Sequence, residues 1–174
     1  MESKAKLFGH PIHPMLIVFP LGLLAVAVIF DIISLVTGNG FWATMAYYLI
    51  AAGIIGGLAA AIFGLIDYLA IPHNTRAKMI GLWHGAINLV VVLLFIGSWY
   101  LRQDLPSTPS TIALMMSFIG AGLSLISGWL GGELVDRLGV GVDEGAHLNS
   151  PNSLSGRPAT EQDAQITSHI TQAR

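Results

Sequence analysis

The chain has 174 residues, of which 53% are hydrophobic and 10% charged, against roughly 25% charged in an ordinary soluble domain. Residues 7–135 hold only Asp31, Asp67, Arg76, Lys78, Arg102, Asp104 and Glu133 as charges, too few for a water-facing surface, so this part reads as membrane-embedded. The formal net charge of −2, with no basic patch, excludes nucleic acid as a partner, and the absence of cysteine excludes disulfides, thiolate metal sites and covalently attached haem.

Lys4 and Lys6 precede the first apolar run, and Ala25-Val26-Ala27 resembles a cleavage site. The run continues to Val36, long enough to span, so it is expected to be a retained helix and not a signal peptide. Four continuous apolar stretches are predicted as spanning helices: 14–36, 42–69, 79–100 and 111–135. Residues 1–13 form a His-Pro-rich interfacial segment ahead of a transmembrane domain over 14–141. Short connections, including Gly38-Asn39-Gly40 and the Pro106/Pro109 loop, make successive helices antiparallel neighbours. The expected fold is therefore all-α: an integral membrane four-helix up-down-up-down bundle in contact with the lipid bilayer.

Lys4, Lys6, Arg76, Lys78 and Arg137 lie on one side and only Arg102 on the other, which predicts both termini in the cytoplasm. Aromatic belts follow the same frame, with Trp42, Tyr47, Trp99 and Tyr100 outside and Tyr68, Trp83 and Trp129 inside. Residues 142–174 are rich in Ser, Thr, Asn, Gln and Gly and are expected to be a disordered cytoplasmic tail, with a weak helix at 161–172 as an option.

The informative residues gather at one membrane face. His10 and His13 alternate with Pro11 and Pro14, which predicts two imidazoles facing one direction just before helix 1. His84 lies about six residues past Lys78, roughly 9 Å into the membrane. Asp67 and Glu133 end helices 2 and 4 on the same side, and Asn88, one turn beyond His84, is placed to orient its ring. Ionisable groups in a membrane usually face a bundle interior or a wet cavity. Solvated interfacial positions for His10, His13 and Glu133, and pairing of Asp67 with Arg76 or Lys78, are the plainer alternatives. His73, His147 and His169 belong to loop and tail. Asp31, about 25 Å along helix 1 from Pro14, calls for a cap or an ion pair with Arg102.

Glycines form the second signal. Gly53/Gly57 and Gly56/Ala60/Gly64 line helix 2, and Gly120, Ser124, Gly128 and Gly132 line helix 4. Such faces serve close helix packing or oligomerisation, and the alternative is clearance for a flat cofactor, with Pro20 loosening helix 1 at the same depth. No phosphate-binding loop, H-E-x-x-H pair or nucleophile–base order is present.

Gly9-His10-Pro11-Ile12-His13-Pro14 with Phe19-Pro20-Leu21-Gly22, Gly64-Leu65-Ile66-Asp67-Tyr68, the 71–78 loop, His84 with Asn88, and 127–135 ending in Gly139-Val140-Gly141-Val142 resemble the signature of the domain of unknown function 2231 family. The resemblance covers about residues 7–142 and implies a four-helix bacterial inner-membrane protein with no established activity. Some relatives are joined to Rieske-type iron–sulfur domains, and the fold resembles small b-type cytochromes, which implies redox chemistry by analogy. The typical closing segment carries Tyr and His where this chain has Asp136 and Leu138, a departure at the end of helix 4.

Three functions follow as expectations. The first is a haem b-binding electron-transfer protein with a redox-protein partner, iron being held by His84 and by His13 or His10, with Asn88 in support. The second is a divalent transition-metal site of His10, His13, His84, Asp67 and Glu133. The third is a structural or assembly subunit whose polar cluster fixes helix register.

Overall fold

The computed structural model describes residues 1–162. A short antiparallel hairpin, β1 (Lys6–Leu7) and β2 (His10–Pro11), leads into α1 (Ile12–Thr37), α2 (Gly40–Ala70), α3 (Arg76–Tyr100) and α4 (Thr111–Gly132), the last extended by a π-helical turn at Glu133–Arg137. All four helices, α4 counted with its extension, are long and apolar enough to cross a membrane. The all-α, four-span expectation therefore holds.

The helix ends follow local chemistry. Gly38, left-handed at φ 69°, closes α1, with its N–H donating to the Ser34 carbonyl at 2.9 Å. Asn39, Thr75 and Ser110 cap α2, α3 and α4 by accepting from the N–H groups of Phe41, Lys78 and Ala113. α1 has no side-chain cap. Instead the Ile12 N–H donates back to the Ala5 carbonyl at 2.9 Å, so the hairpin does that work.

α1 starts two residues earlier than predicted, and this changes the histidine geometry. Pro14 still falls in the first turn, where no intrahelical N–H is required. His13 is thereby helical while His10 stays on β2, exposed. The two rings do not share one direction, because a strand-to-helix transition separates them.

Small residues set the helix spacing. A Cβ on Gly53 would lie 2.6 Å from the Leu24 side chain, and one on Gly56 3.2 Å from Pro20 Cδ. Gly53 and Gly56 of α2 thus face α1, the close helix packing that the small residues predicted, and Pro20 lies in that contact. On α4 the packed residues are Ala113, Ser117, Gly120 and Ser127, all buried, whereas a Cβ on Gly128 would meet nothing within 4 Å. The spacing alternates between three and four residues, with a seven-residue step from Gly120 to Ser127, the period of a left-handed helix seam, and not the uniform four expected. α1 packs mainly on α2 and α3 mainly on α4, so the bundle consists of two intimate halves with a sparser seam between them. A core of Ala27, Ala46, Ile50, Ile54, Val91 and Phe95 bridges that seam.

An even number of antiparallel spans brings both ends of the described chain together. Met1 bonds to Gly139 and Gly141 beyond α4. Residues 142–162 lie beyond the four helices. They hold only a 3₁₀ turn at Ser153–Ser155, yet they dock on the hairpin. Lys6 bridges Glu2 and Asp143, the Glu144 N–H donates to Glu2, and Ser153 Oγ donates to the Phe8 carbonyl at 3.3 Å. A polar segment cannot bury a core, but hydrogen bonds and ion pairs can still position it. Residues 163–174, with His169 and most of the optional 161–172 helix, lie outside the described residues.

This clasp has a pH signature. The Lys6 ammonium hydrogen-bonded to Glu2 holds its carboxyl below the ordinary 4.5, and the bond to Asp143 holds Lys6 above the ordinary 10.5. A depressed carboxyl stabilises above its unfolded pKa and loses that as pH falls; a raised amine stabilises below its unfolded pKa and loses that as pH rises. The tail should therefore be most protected from proteolysis near neutrality, and cleave faster both in acid and in strong alkali. A flat cleavage profile from acid to alkali would show that these pairs do not hold the tail.

Candidate functional site

The end of the bundle that carries the termini brings His13 and His84 together. Their ring centroids are 6.5 Å apart with the planes at 89°. The rings reach this position from opposite halves of the bundle, α1 and α3. Both lie in notches left by glycine: a Cβ on Gly64 would come within 2.9 Å of His13, and one on Gly131 within 3.3 Å of His84.

Backbone carbonyls fix both rings. His13 Nδ1–H donates to the Ala60 carbonyl at 2.8 Å, and His84 Nδ1–H to the Ser127 carbonyl at 2.9 Å. Ser127 Oγ also sits 3.1 Å from His84 Nδ1. A carbonyl only accepts, so each bond requires the proton on Nδ1, and the neutral rings then carry their lone pairs on Nε2. That is the tautomer in which an imidazole ligates through Nε2. Asn88 donates to His84 Nε2 at 3.1 Å. Asn88 thus engages the second ring nitrogen, and the Ser127 carbonyl orients the ring through Nδ1.

The remaining predicted residues are engaged elsewhere. His10 is exposed, with Nε2 3.4 Å from Ser153 Oγ. Asp67 accepts from Ser3 Oγ at 2.8 Å and from the Lys4 N–H at 2.7 Å, anchoring the chain ahead of β1 to α2. It pairs with neither Arg76 nor Lys78. Arg76 goes to Glu133 at 2.5 Å, and Lys78 donates to the Tyr68 carbonyl at 2.8 Å while lying over that ring. His73 is exposed and His147 bonds locally to Asn149. Among the described residues no three His, Cys, Asp or Glu side chains gather round one point.

At the far end Asp31 and Arg102 form the anticipated ion pair, bidentate at 2.6 and 2.7 Å and fully buried. Arg102 also donates to Ser98 and Ser117, and Ser98 donates to the Ala113 carbonyl at 2.7 Å. The two serines had no signal in the sequence beyond their small size.

The model of a family described as "Predicted membrane protein (DUF2231)" matches residues 9–144. The chain belongs to that family. The match spans the second strand of the hairpin, all four helices and the first residues of the docked tail. Membership in the DUF2231 family agrees with the four spans and brings no assigned activity. No curated protein and no solved structure matches the chain.

Proposed function

We propose that this member of the DUF2231 family binds haem b between His13 and His84 and passes electrons to or from a redox-protein partner. The histidine pair carries the proposal. Two metal–nitrogen bonds of about 2 Å, plus the half-widths of two imidazoles, put ring centroids roughly 6 Å apart on one ion, close to the 6.5 Å found. Both rings carry their lone pair on Nε2, the one on His84 engaged by Asn88, and the sparser seam separates the halves that bear them. Haem iron held by two histidines supplies one-electron transfer without substrate chemistry. Ala60 and Ser127 hold the Nδ1 protons, Gly64 and Gly131 give the rings room, and Asn88 keeps the His84 lone pair satisfied until it is displaced.

Of the two N-terminal histidines, His13 is the ligand. The pair is favoured over the divalent-metal alternative because His10, Asp67 and Glu133 bond to other groups. Protein purified in mild detergent and titrated with haem b should develop a Soret band that saturates at one haem per chain. His10→Ala should leave the titration unchanged, whereas His13→Ala should abolish saturable binding or leave a five-coordinate spectrum. Equal loss from both variants, or no saturable band in the wild type, would sink the assignment.

We place both termini on the cytoplasmic side of a bacterial inner membrane, on the strength of the basic residues at that end. Reporter fusions at Gly38–Gly40 and at Pro106 should report an external location, and one at Ser150 an internal one. The reverse pattern would move the histidine pair to the opposite face.

A further inference from the structure

The hairpin turn ahead of α1 is built against its own preferences. Phe8 and Gly9 occupy the two turn positions, at φ 51° and φ 82°. Such turns favour Asn, Asp or Gly at both places, because a bulky side chain is strained in the left-handed region. Phe8 is also 73% exposed, so no packing inside the chain repays that strain.

The tip is held firmly nonetheless. Ser3 and the Lys4 N–H bind Asp67 of α2, the Ile12 N–H binds the Ala5 carbonyl, and Ser153 from the tail donates to the Phe8 carbonyl. Ser153 lies so close that a Cβ on Gly9 would come within 2.7 Å of it. This contact sets Leu154, 72% exposed, beside a turn that already presents Leu7 and Phe8. The hairpin leads straight into α1, a membrane-spanning helix on which Met15, Val18 and Phe19 are exposed. Lys4, exposed just before the hairpin, suits headgroup phosphate.

We propose that the Phe8–Gly9 tip, with Leu7 and Leu154, is a membrane-surface anchor that inserts at the boundary between lipid headgroups and acyl chains. The partner is the lipid bilayer itself. The anchor holds the docked tail flat against the membrane and fixes the height of the His10–His13 segment. A strained, exposed aromatic gains free energy by entering that boundary, where aromatic rings are favoured.

The chain has no cysteine, so a single cysteine can report on each position of the full-length protein. Nitroxide labels at Phe8→Cys, Leu7→Cys and Leu154→Cys would be compared with Leu148→Cys, a fully exposed residue of the tail, in vesicles of phosphatidylethanolamine and phosphatidylglycerol. The labels at positions 7, 8 and 154 should collide with oxygen more than with a water-soluble nickel chelate, and the label at 148 the reverse. Nickel-dominated collisions at the tip would overturn the anchor by placing it in water. Shielding from both reagents would overturn it equally, by pointing to a protein surface or a second copy. A second variant avoids labels. Phe8→Gly relieves the turn and should speed cleavage of the tail after Glu161 by a glutamate-specific endoproteinase roughly tenfold on vesicles, the value of one buried aromatic side chain, with no change in detergent. Equal rates for wild type and variant on vesicles would contradict the proposal.

Discussion

Asp31→Ala should destabilise the bundle by about 3–5 kcal/mol, the usual cost of leaving one partner of a buried ion pair uncompensated. Arg102 is fully buried and donates twice to Asp31. Ser98 and Ser117 accept the rest of its bonds but cannot neutralise its charge. The double variant Asp31→Ala/Arg102→Leu should regain much of the loss, because the two serines keep their mutual bond at 2.8 Å and Ser98 keeps the Ala113 carbonyl. Unfolding by denaturing detergent, followed by circular dichroism, would measure both. A loss under about 1 kcal/mol for Asp31→Ala would mean that water or lipid headgroups reach Arg102, as at an exposed pair.

A second large effect is expected at Gly64. A side chain there meets the His13 ring at 2.9 Å, and that ring is held in place by its bond to the Ala60 carbonyl. Gly64→Val should displace His13 from the Ala60 carbonyl, cost about 1–3 kcal/mol in packing strain, and remove haem binding as completely as loss of His13 itself. Gly122→Ala and Gly128→Ala provide the contrast, since a Cβ at either position meets nothing within 4 Å. Those variants should be neutral or slightly stabilising, because alanine is the better helix former. Thermal melts in mild detergent together with haem titration would separate the two classes. Normal haem binding by Gly64→Val would show that the His13 ring does not depend on this notch.

Four long apolar runs made the spans and their alternation readable, since nothing but a bilayer accommodates them. The position of Asp31 far along α1 and of Arg102 just past α3 also made their ion pair one of two readings open to the sequence. The histidine geometry was less accessible. His10 and His13 sit in near-identical His-Pro contexts, and only the hairpin, whose Ala5 carbonyl receives the Ile12 N–H, decides that α1 begins between them. Ser127 escaped notice because its main contribution is a main-chain carbonyl, which leaves no trace in residue identity. The packed face of α4 was less legible because the row at four-residue spacing shares only Gly120 with the buried row Ala113, Ser117, Gly120 and Ser127. For Asp67 the sequence offered the histidine cluster or a cation across the nearest loop, but the chain ahead of β1 gives it a hydroxyl and a backbone N–H. The composition of the tail shows that it cannot form a core and carries no sign of single hydrogen bonds such as that from Ser153 to the Phe8 carbonyl.

The central claim is that His13 and His84 together hold one haem iron, and imidazole rescue tests it most directly. His84→Gly should leave room beside Ser127 and Gly131 for free imidazole. With haem b added, the variant is expected to give a five-coordinate spectrum that returns to the six-coordinate wild-type form as imidazole is titrated. His13→Gly should behave the same way at the opposite face, and His10→Gly should be six-coordinate without rescue. A six-coordinate wild-type-like spectrum in both His13→Gly and His84→Gly before imidazole is added would contradict the account, because the ligands would then lie elsewhere.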